Sequence, residues 1–301
     1  MFKFILFILG LSFGAYASIM YDDLSVIGNV KIKSQNSLLL YETDNTNYVA
    51  IKAPSSVASN KTFILPDSYG SSDQVLTTNG SGTLSWTGKG AATAPVVTKY
   101  TSGSGTHTIT GSPLYIRVVM VGGGGGGGSS GTGSFGTATA GGNTTFGTSL
   151  LAANGGGAGS QTGSANGGTA SLGTGPVGIA LSGGFGQGGA YQSSNTTRVM
   201  GGQGGASPFG GVGSGGYYDA DGRAAISNTG SGGGGGGYGG VAGSYSGAGG
   251  SAGGYIDAII TSPSSSYSYS VGAAGSGGSA GTSGHAGGNG GSGMIVVYEF
   301  Y

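Results

Sequence analysis

The sequence predicts an all-β protein in two parts, a β-rich segment of short strands followed by a glycine-rich segment. The chain has 301 residues, of which 75 are glycine, and 64 of these lie between Gly122 and Gly293, where they make up about 37%. Short apolar runs separated by polar turn formers are typical of β-strands. No window shows the 3.6-residue apolar period of a helix.

Composition excludes several classes of function. Charged residues make up 7% of the chain and its formal net charge is zero, whereas binding to nucleic-acid phosphates needs a basic face. The chain has no cysteine and two histidines. Disulfides and thiolate metal sites are therefore excluded, and little is left for a metal centre or a general base. We expect a non-enzymatic protein with no cofactor and no nucleic-acid partner.

Residues 1–17 have the layout of a secretory signal peptide. Lys3 gives a positive start, Phe4–Phe13 is an apolar run, and Ala15-Tyr16-Ala17 offers the small residues that signal peptidase recognises. The run is shorter than the roughly 20 residues that span a membrane. We expect cleavage after Ala17 and export without membrane insertion. A short buried strand or helix is the alternative.

Residues 18–98 form a predicted β-rich stem. Its candidate strands are Val26–Lys33, Ser37–Tyr41, Tyr48–Lys52, Phe63–Leu65, Val75–Thr78 and Leu84–Trp86. The Asn79-Gly80 pair between the last two is a strong signal for a hairpin turn. About 80 residues with so few apolar side chains would be marginally stable as a monomer. A trimer would solve this, because each copy would contribute part of a shared core.

Two ordered motifs of the stem resemble a module of bacteriophage tail fibres and related fibre proteins. Leu38–Pro66 reads LLLYETDNTNYVAIKAPSSVASNKTFILP, and Asp73–Trp86 reads DQVLTTNGSGTLSW. In that module an Asn-rich turn, a Tyr-Val-Ala-x-Lys-Ala-Pro segment and a strand ending in Leu-Pro precede a Gln-Val-Leu segment that ends in tryptophan. The resemblance implies a trimeric, β-rich stem placed directly before a tip domain.

Residues 99–301 form a predicted glycine-rich tip, in which strands bracket the glycine. The candidate strands are Thr106–Ile109, Leu114–Val121, Thr144–Leu151, Tyr255–Thr261, Tyr267–Val271 and Met294–Tyr301. Collagen is excluded, because it needs glycine at every third position and abundant proline. Three interpretations stay open: a packed lattice of polyglycine II helices, ordered but irregular loops on a β-sandwich, and disorder. We favour the lattice, because apolar residues are threaded through the glycine.

The tip also resembles the glycine-rich tip domains of phage tail fibres and tail-fibre adhesins. The similar segments are Tyr100–Gly128, Gly141–Gly157 and the closing runs GGYIDAIIT, SYSVGAAGSGG and GMIVVYEFY, whereas Gly173–Gly250 agrees only in composition. Gly111-Ser112-Pro113 stands where the family often has Pro-Ala-Gly. Since phage fibres carry no signal peptide, the whole chain resembles the secreted, phage-fibre-like chimeric trimeric adhesins of predatory bacteria. This resemblance implies a homotrimer that binds a bacterial surface.

Aromatic and polar residues of the central glycine tract are the candidate receptor-binding residues. If glycine segments form the scaffold, these side chains occupy the loops that connect them. Tyrosine and arginine suit recognition because they combine contact area with hydrogen bonding. The candidates are Tyr191, Arg198, Phe209, Tyr217, Tyr218, Asp219, Asp221, Arg223, Tyr238 and Tyr245. The alternative for each aromatic residue is inward packing that holds the lattice together.

Other patterns carry little functional weight. GxGxxG recurs in the tract, but at this glycine content it is expected by chance. Asp219-Ala220-Asp221-Gly222 resembles part of a calcium loop yet lacks the later glutamate of an EF-hand. We expect His107 at the surface or at a subunit contact, and His285 at a loop tip.

The sequence therefore predicts a secreted homotrimeric fibre protein whose tip binds a bacterial surface glycan or an outer-membrane protein. The alternative is a structural glycine-rich surface or matrix protein without a dedicated receptor. A polysaccharide-degrading tailspike is disfavoured, because the tip offers no close carboxylate pair beyond Asp219 and Asp221.

Overall fold

A computed structural model of the chain contains two compact units, one ending at Lys89 and one beginning at Gly90. The structure describes residues 32, 36–44, 46–88, 94–132, 136–161, 163, 165–238, 240 and 242–301. The expected signal peptide lies outside the described residues, as does the expected strand Val26–Lys33 apart from Ile32. The described part of the chain is all-β, with sixteen strands. It contains no helix that is long and apolar enough to cross a membrane.

The first unit contains two antiparallel β-hairpins. They pair β1 (Leu38–Tyr41) with β2 (Tyr48–Ile51), and β3 (Gln74–Thr78) with β4 (Leu84–Gly88). The predicted turn at Asn79-Gly80 is confirmed: Gly80 has a φ of 81°, and the Asn79 side chain accepts the N–H of Ser81 at 2.8 Å. The predicted strand Phe63–Leu65 is reduced to a single β-bridge at Ile64.

The described residues of the first unit form no hydrophobic core within a single chain. None of its described residues from 36 to 88 is buried. Leu40, Val49, Phe63 and Leu65 are 52%, 68%, 68% and 71% exposed. Burying such a side chain fully contributes about 1.5–3 kcal/mol. A single copy therefore leaves most of this hydrophobic stabilisation unrealised.

The second unit is built on two five-stranded antiparallel sheets. Its strands are β5 (Val96–Tyr100), β6 (Ser104–Thr108), β7 (Tyr115–Val121), β8 (Thr144–Phe146), β9 (Leu151–Ala153), β10 (Ala170–Leu172), β11 (Val177–Leu181), β12 (Tyr191–Gln192), β13 (Ser244–Tyr245), β14 (Tyr255–Ile260), β15 (Ser266–Ser270) and β16 (Met294–Phe300). The first sheet has the order β11-β14-β7-β16-β5, and the second has the order β10-β9-β8-β15-β6. Strands β12 and β13 form a separate two-stranded ribbon.

The hydrophobic core lies between these two sheets. On β7, Ile116, Val118 and Met120 are fully buried, whereas Arg117 points outward. The second sheet contributes Phe146 and Tyr267, whose rings stack with centroids 4.9 Å apart. The apolar runs that predicted β7, β14, β15 and β16 are confirmed as strands. The candidate strand Thr144–Leu151 is instead a hairpin, with β8 and the start of β9 on either side of a tight turn.

His107 lies in this core, within a cluster of buried polar side chains. The expectation that it is a surface residue is therefore wrong. His107 and Glu299 are 3% and 2% exposed, and His107 Nε2 lies 3.4 Å from Glu299 Oε1. The hydroxyl of Tyr100 lies 2.9 Å from His107 Nδ1, and the hydroxyl of Tyr301 donates to Glu299 Oε2 at 2.7 Å. Burial lowers the pKa of His107, and the nearby Glu299 carboxylate opposes this only in part.

The described glycine-rich segments form an ordered network, here called the glycine lattice (residues 122–132, 136–143, 154–161, 165–169, 182–187, 201–216, 222–237, 247–254, 272–279 and 287–293). Its central segment is Gly122–Gly128, which continues directly from β7 and is buried throughout. Its N–H groups donate to residues on three neighbouring segments: Gly254, Gly142, Gly291, Ser251, Thr139, Gly288 and Ala248 in turn. Its carbonyls from Gly123 to Gly128 accept from three others, at Gly156, Gly275, Gly233, Gly159, Gly278 and Gly236. The central segment is thus surrounded by six hydrogen-bonded neighbouring segments.

The hydrogen bonds repeat every three residues. Gly125 donates to Ser251, and Gly128, three residues later, donates to Ala248 on the same neighbour. The buried segment Gly230–Gly237 is surrounded in the same way, with neighbours at 125–128, 202–205, 213–216, 220–223, 247–250 and 288–292. Because buried backbone groups without a partner are costly, this pairing between segments replaces the pairing that a helix or sheet would supply.

Close approach of the segments explains the glycine content. A Cβ added to Gly124 would overlap the carbonyl oxygen of Ser231, and one added to Gly127 would overlap that of Gly234. These obstacles are backbone atoms, which cannot rotate away as a side chain can. The lattice interior therefore excludes side chains at such positions.

Buried serines stand where the lattice leaves room for one side chain, and they join segments through their hydroxyls. Ser246 Oγ accepts the N–H of Ala190 at 2.9 Å and donates to the carbonyl of Met200 at 2.7 Å. Ser130 Oγ accepts the N–H of His285 at 2.8 Å and donates to the carbonyl of Gly237. A hydroxyl that both donates and accepts meets two backbone groups at once.

Replacement of Gly127 by alanine should strongly destabilise the protein, because the new methyl group meets a fixed carbonyl oxygen. Overpacking of a tight interior typically costs about 1–3 kcal/mol, and occasionally more. Urea unfolding would measure the change. Gly163→Ala is the control, since the nearest atom to its added Cβ would be Ser160 Oγ at 3.4 Å. Equal losses in the two variants would contradict the packing argument.

The buried His107 should make stability depend on pH. Because its pKa is lowered in the folded protein, the unfolded chain takes up a proton near pH 6.5 that the folded protein does not. Stability is therefore greatest above about pH 6.5 and falls as the pH decreases towards the lowered value. Thermal unfolding across this range should show a weaker pH dependence for His107→Gln. The same pH dependence of stability in both proteins would show that His107 is not its cause.

Candidate functional site

The candidate site lies on loops at the end of the lattice that points away from the sheets. Gly122 follows β7, whereas Gly128, six residues later, bonds to Ala248 and Gly236. The described loop residues beyond Gly128, 188–200, 217–221, 240, 242–246 and 280–286, are here called the distal face.

Three predicted residues, Tyr217 to Asp219, lie together on one loop of the distal face. Tyr217 is 61% exposed, and its ring centroid lies 3.9 Å from that of the half-buried Tyr218 at an interplanar angle of 46°. A hydrogen bond with Tyr218 raises the pKa of Tyr217. Tyr218 has a φ of 50°, a strained conformation for a residue with a side chain. Such strain often marks a functional loop.

Arg198 joins this cluster from another loop. Its Nη1 lies 3.2 Å from Asp219 Oδ2, and both side chains are exposed. An exposed ion pair of this kind contributes at most about 1 kcal/mol to stability. The pair can therefore open and offer either charge to a ligand at little energetic cost.

A second aromatic pair is held by the ribbon of β12 and β13. Tyr191 and Tyr245 lie opposite each other in the register, with ring centroids 4.9 Å apart. The adjacent Gln192 is fully buried and donates to the carbonyls of Ser194 and Gly240 at 3.0 and 2.8 Å. Gln192 thus fixes the ribbon to its neighbouring loops and leaves the Tyr191 ring exposed.

Asp221 has a positioning contact that the sequence did not reveal. Its Oδ1 accepts the N–H of Ala286 at 2.8 Å and lies 3.4 Å from His285 Nδ1. The backbone N–H of Gly222 donates to the carbonyl of Ala286 at 2.8 Å. These contacts hold the loop 217–221 against the loop that carries His285, which lies on the distal face as expected.

Three predicted residues lie elsewhere. Tyr238 is fully buried and its backbone bridges to Val199, so its ring is inside the lattice and not at a loop tip. Phe209 lies at the sheet end, where its ring meets that of Tyr255 edge to face at 5.7 Å. Arg223 is an exposed residue within a lattice segment, where its backbone N–H donates to the carbonyl of Ser214 and its carbonyl accepts the N–H of Gly234.

The structure pairs six of the ten predicted residues, Tyr217 with Tyr218, Arg198 with Asp219, and Tyr191 with Tyr245, and it places Asp221 against His285. Their side chains offer aromatic faces, phenol hydroxyls and one opposed pair of charges. Among the residues that the structure describes, no group of three His, Cys, Asp or Glu side chains could hold a metal ion. The arrangement is suited to stacking and hydrogen bonding with a ligand.

Pairings across the loops could not be read from the sequence. Tyr191 and Tyr245 are separated by 54 positions, and Asp221 and His285 by 64. Residue type alone singled out the aromatic residues, and no spacing signal marked His285 as the partner of Asp221. The contacts depend on which lattice segments are neighbours.

No protein-family model, curated protein or solved structure matches this chain significantly. The likeness of its motifs to fibre proteins therefore remains a prediction. Support for a function has to come from the geometry of the two units.

Proposed function

We propose that this chain is a secreted, non-enzymatic fibre adhesin that acts as a homotrimer and binds a bacterial cell surface through its distal face. The observation that carries the proposal is that tyrosines and a solvent-exposed ion pair lie on loops of a rigid backbone lattice. The receptor is a surface glycan or an outer-membrane protein. The role needs no cofactor, nucleic acid or membrane insertion.

Trimerisation is supported by the first unit. Its first hairpin exposes Leu40, Val49 and Ile51 by half or more, although alternating apolar strands normally bury one face. Three copies around one axis would bury these side chains and give the unit the core that a single copy lacks. This unit is then the fibre stem, and the second unit is its tip.

The finer architecture of the tip supports a rigid scaffold. We infer that the lattice segments are polyglycine II helices, because their hydrogen bonds repeat every three residues and join neighbouring segments. A central segment with six hydrogen-bonded neighbours cannot move without breaking several bonds together. Loops attached to such a lattice are held in place before a ligand arrives, which lowers the entropic cost of binding.

The distal face has the chemistry expected of a recognition surface. Tyrosine provides a large amphipathic contact with only two side-chain torsions to restrict, and its ring can stack on a sugar. Arg198 and Asp219 can each form charge-assisted hydrogen bonds once their mutual contact opens. Three such faces on one trimer would bind a repetitive surface by avidity, even if each contact is weak.

The absolute mass of residues 18–301 in solution tests the fibre proposal directly. Light scattering coupled to size exclusion should give three times the chain mass, independent of concentration. The mass of a monomer would contradict the proposal that the first unit forms a trimeric stem. A mass that grows with concentration would instead support the structural matrix alternative, since exposed apolar strands would then join copies without limit.

Replacing Tyr217 and Tyr218 by alanine should reduce binding to target cells at least tenfold while leaving the trimer intact. The expected loss follows from removing the two largest side chains of the exposed cluster. Binding would be measured by titration of labelled protein on whole cells, with the mass checked by light scattering. Phe209→Ala is the control, since this partly exposed aromatic lies at the opposite end of the lattice. Unchanged binding by the double variant would reject this part of the distal face as the receptor site.

A further inference from the structure

The chain contains four Asn-Gly steps, which begin at Asn79, Asn154, Asn166 and Asn289, and all four lie within the described residues. At such a step the backbone nitrogen of the glycine can attack the side-chain amide carbon of the asparagine, because glycine places no side chain in the way. The reaction needs a nitrogen that can lose its proton and a backbone that can bring this nitrogen to the amide carbon. The four steps differ in both respects.

The turn between β3 and β4 leaves the first step open to solvent. Asn79, Gly80 and Ser81 are all exposed, and a Cβ added to Gly80 would find no atom within 4 Å. The Gly80 N–H donates to the hydroxyl of Thr78 at 3.2 Å, and this exposed side chain can rotate away. The nitrogen of Gly80 is therefore free to move and to lose its proton.

The same turn activates the Asn79 amide carbon. Its Oδ1 accepts the backbone N–H of Ser81 at 2.8 Å and that of Thr83 at 3.3 Å. When a nucleophile adds to the amide carbon, negative charge develops on Oδ1, and donors that already point at this oxygen stabilise the charge. The turn thus combines an unobstructed nitrogen with a polarised amide.

The step at Asn289 lies in the glycine lattice, which holds its glycine nitrogen in place. The Gly290 N–H donates to the carbonyl of Gly275 at 2.8 Å, and Gly290 is buried. A Cβ added there would overlap the carbonyl oxygen of Gly124. The Asn289 side chain is itself exposed, so access of water does not distinguish this step from the one in the turn. Attack by the Gly290 nitrogen would have to break a hydrogen bond between two lattice segments.

Neighbouring segments also restrain the other two steps. After Asn154, the N–H of Gly155 donates to Asn143 Oδ1 at 2.9 Å. The carbonyl of Asn166 accepts the N–H of Gly157 at 3.0 Å, and the glycine that follows Asn166 lies against a backbone carbonyl of another segment. In both cases the backbone cannot turn without disturbing a neighbouring segment.

We propose that Asn79 modifies itself through a cyclic imide, whereas the three lattice asparagines are protected. The Gly80 nitrogen loses its proton and bonds to Asn79 Cγ, the Cγ–Nδ2 bond breaks, and the amide group takes up the proton and leaves as ammonia. Water then opens the imide. Opening at Cγ gives aspartate, and opening at the backbone carbonyl gives isoaspartate; either product adds one negative charge at neutral pH. This chemistry requires neither a receptor nor a trimer.

The modified turn helps to hold the first unit together. The Ile64 N–H donates to the carbonyl of Gly82 at 3.0 Å, and the Leu84 N–H donates to the carbonyl of Ile64 at 2.9 Å. Isoaspartate inserts its Cβ into the main chain, which displaces the turn relative to the strand pair that closes it, Thr78 and Leu84. The first unit therefore changes as the protein ages, whereas the lattice does not.

Ageing of the full chain in mildly alkaline buffer tests this difference. The buffer is made with water enriched in heavy oxygen, because opening of the imide then labels each modified residue. Peptide mapping by mass spectrometry compares the four steps in the folded protein and in the chain unfolded in guanidinium chloride. Folded Asn79 should react at least tenfold faster than Asn289, because its amide is polarised and its attacking nitrogen is free. The unfolded chain should show similar rates at all four steps.

The contrary results are distinct. Equal rates at Asn79 and Asn289 in the folded protein would overturn the proposal. So would a folded Asn79 that reacts tenfold more slowly than the unfolded one, since the turn would then be protective. A difference that persists unchanged in the unfolded chain would trace it to neighbouring sequence and not to the fold. Asn79→Gln is the control for the assignment, because attack on its longer side chain needs a larger ring and the label should disappear.

Discussion

The structure depends on one requirement, that the buried backbone N–H groups of the glycine lattice find acceptors, most of them carbonyls on a different segment. Segments such as Gly122–Gly128 make no internal hydrogen bonds, so their pairing is entirely with neighbours. Buried amides without partners would be costly, and glycine loses more entropy on ordering than any other residue. The network is stable only when nearly complete. This explains why side chains are almost absent from its interior and why charged residues are rare in the tract.

Side-chain packing in the sandwich supplies the register that the lattice lacks. Glycine offers no side chain that could distinguish one alignment of two segments from another. The central segment follows β7, the segment ending at Gly254 precedes β14, and the segment ending at Gly293 precedes β16. Because β14, β7 and β16 are adjacent strands of one sheet, the core residues that align those strands also align the three segments. The sandwich therefore serves as the base from which the lattice extends.

The difference between a core of packed side chains and a lattice of paired backbone also explains what could be predicted from the sequence. The strands β7, β14 and β16 appear as apolar runs because they contribute large residues to the core, and they were predicted. Strand β11 was not recognised, because all five of its residues are exposed and small residues, Gly178 and Ala180, alternate with its larger ones. The three-residue repeat was weighed as one interpretation of the tract, but its neighbours could not be assigned without the sheet order. His107 was misplaced since its alternation with threonine does not reveal which side of β6 faces inward.

The exclusion of side chains from the lattice interior also determines where the candidate site can lie. A lattice that excludes side chains can display them only where the chain leaves it, at the loops and along the outermost segments. Tyr217, Tyr218 and Asp219 lie at such a loop, and Tyr238, one residue beyond a lattice segment, is instead buried against Val199. Residue type thus supplied candidates for the distal face, but it could not separate those on the loops from Phe209, Arg223 and Tyr238, which lie elsewhere. Because most lattice hydrogen bonds join backbone groups, exposed loop side chains such as that of Tyr217 can vary without disturbing the scaffold, which is the property a recognition surface requires.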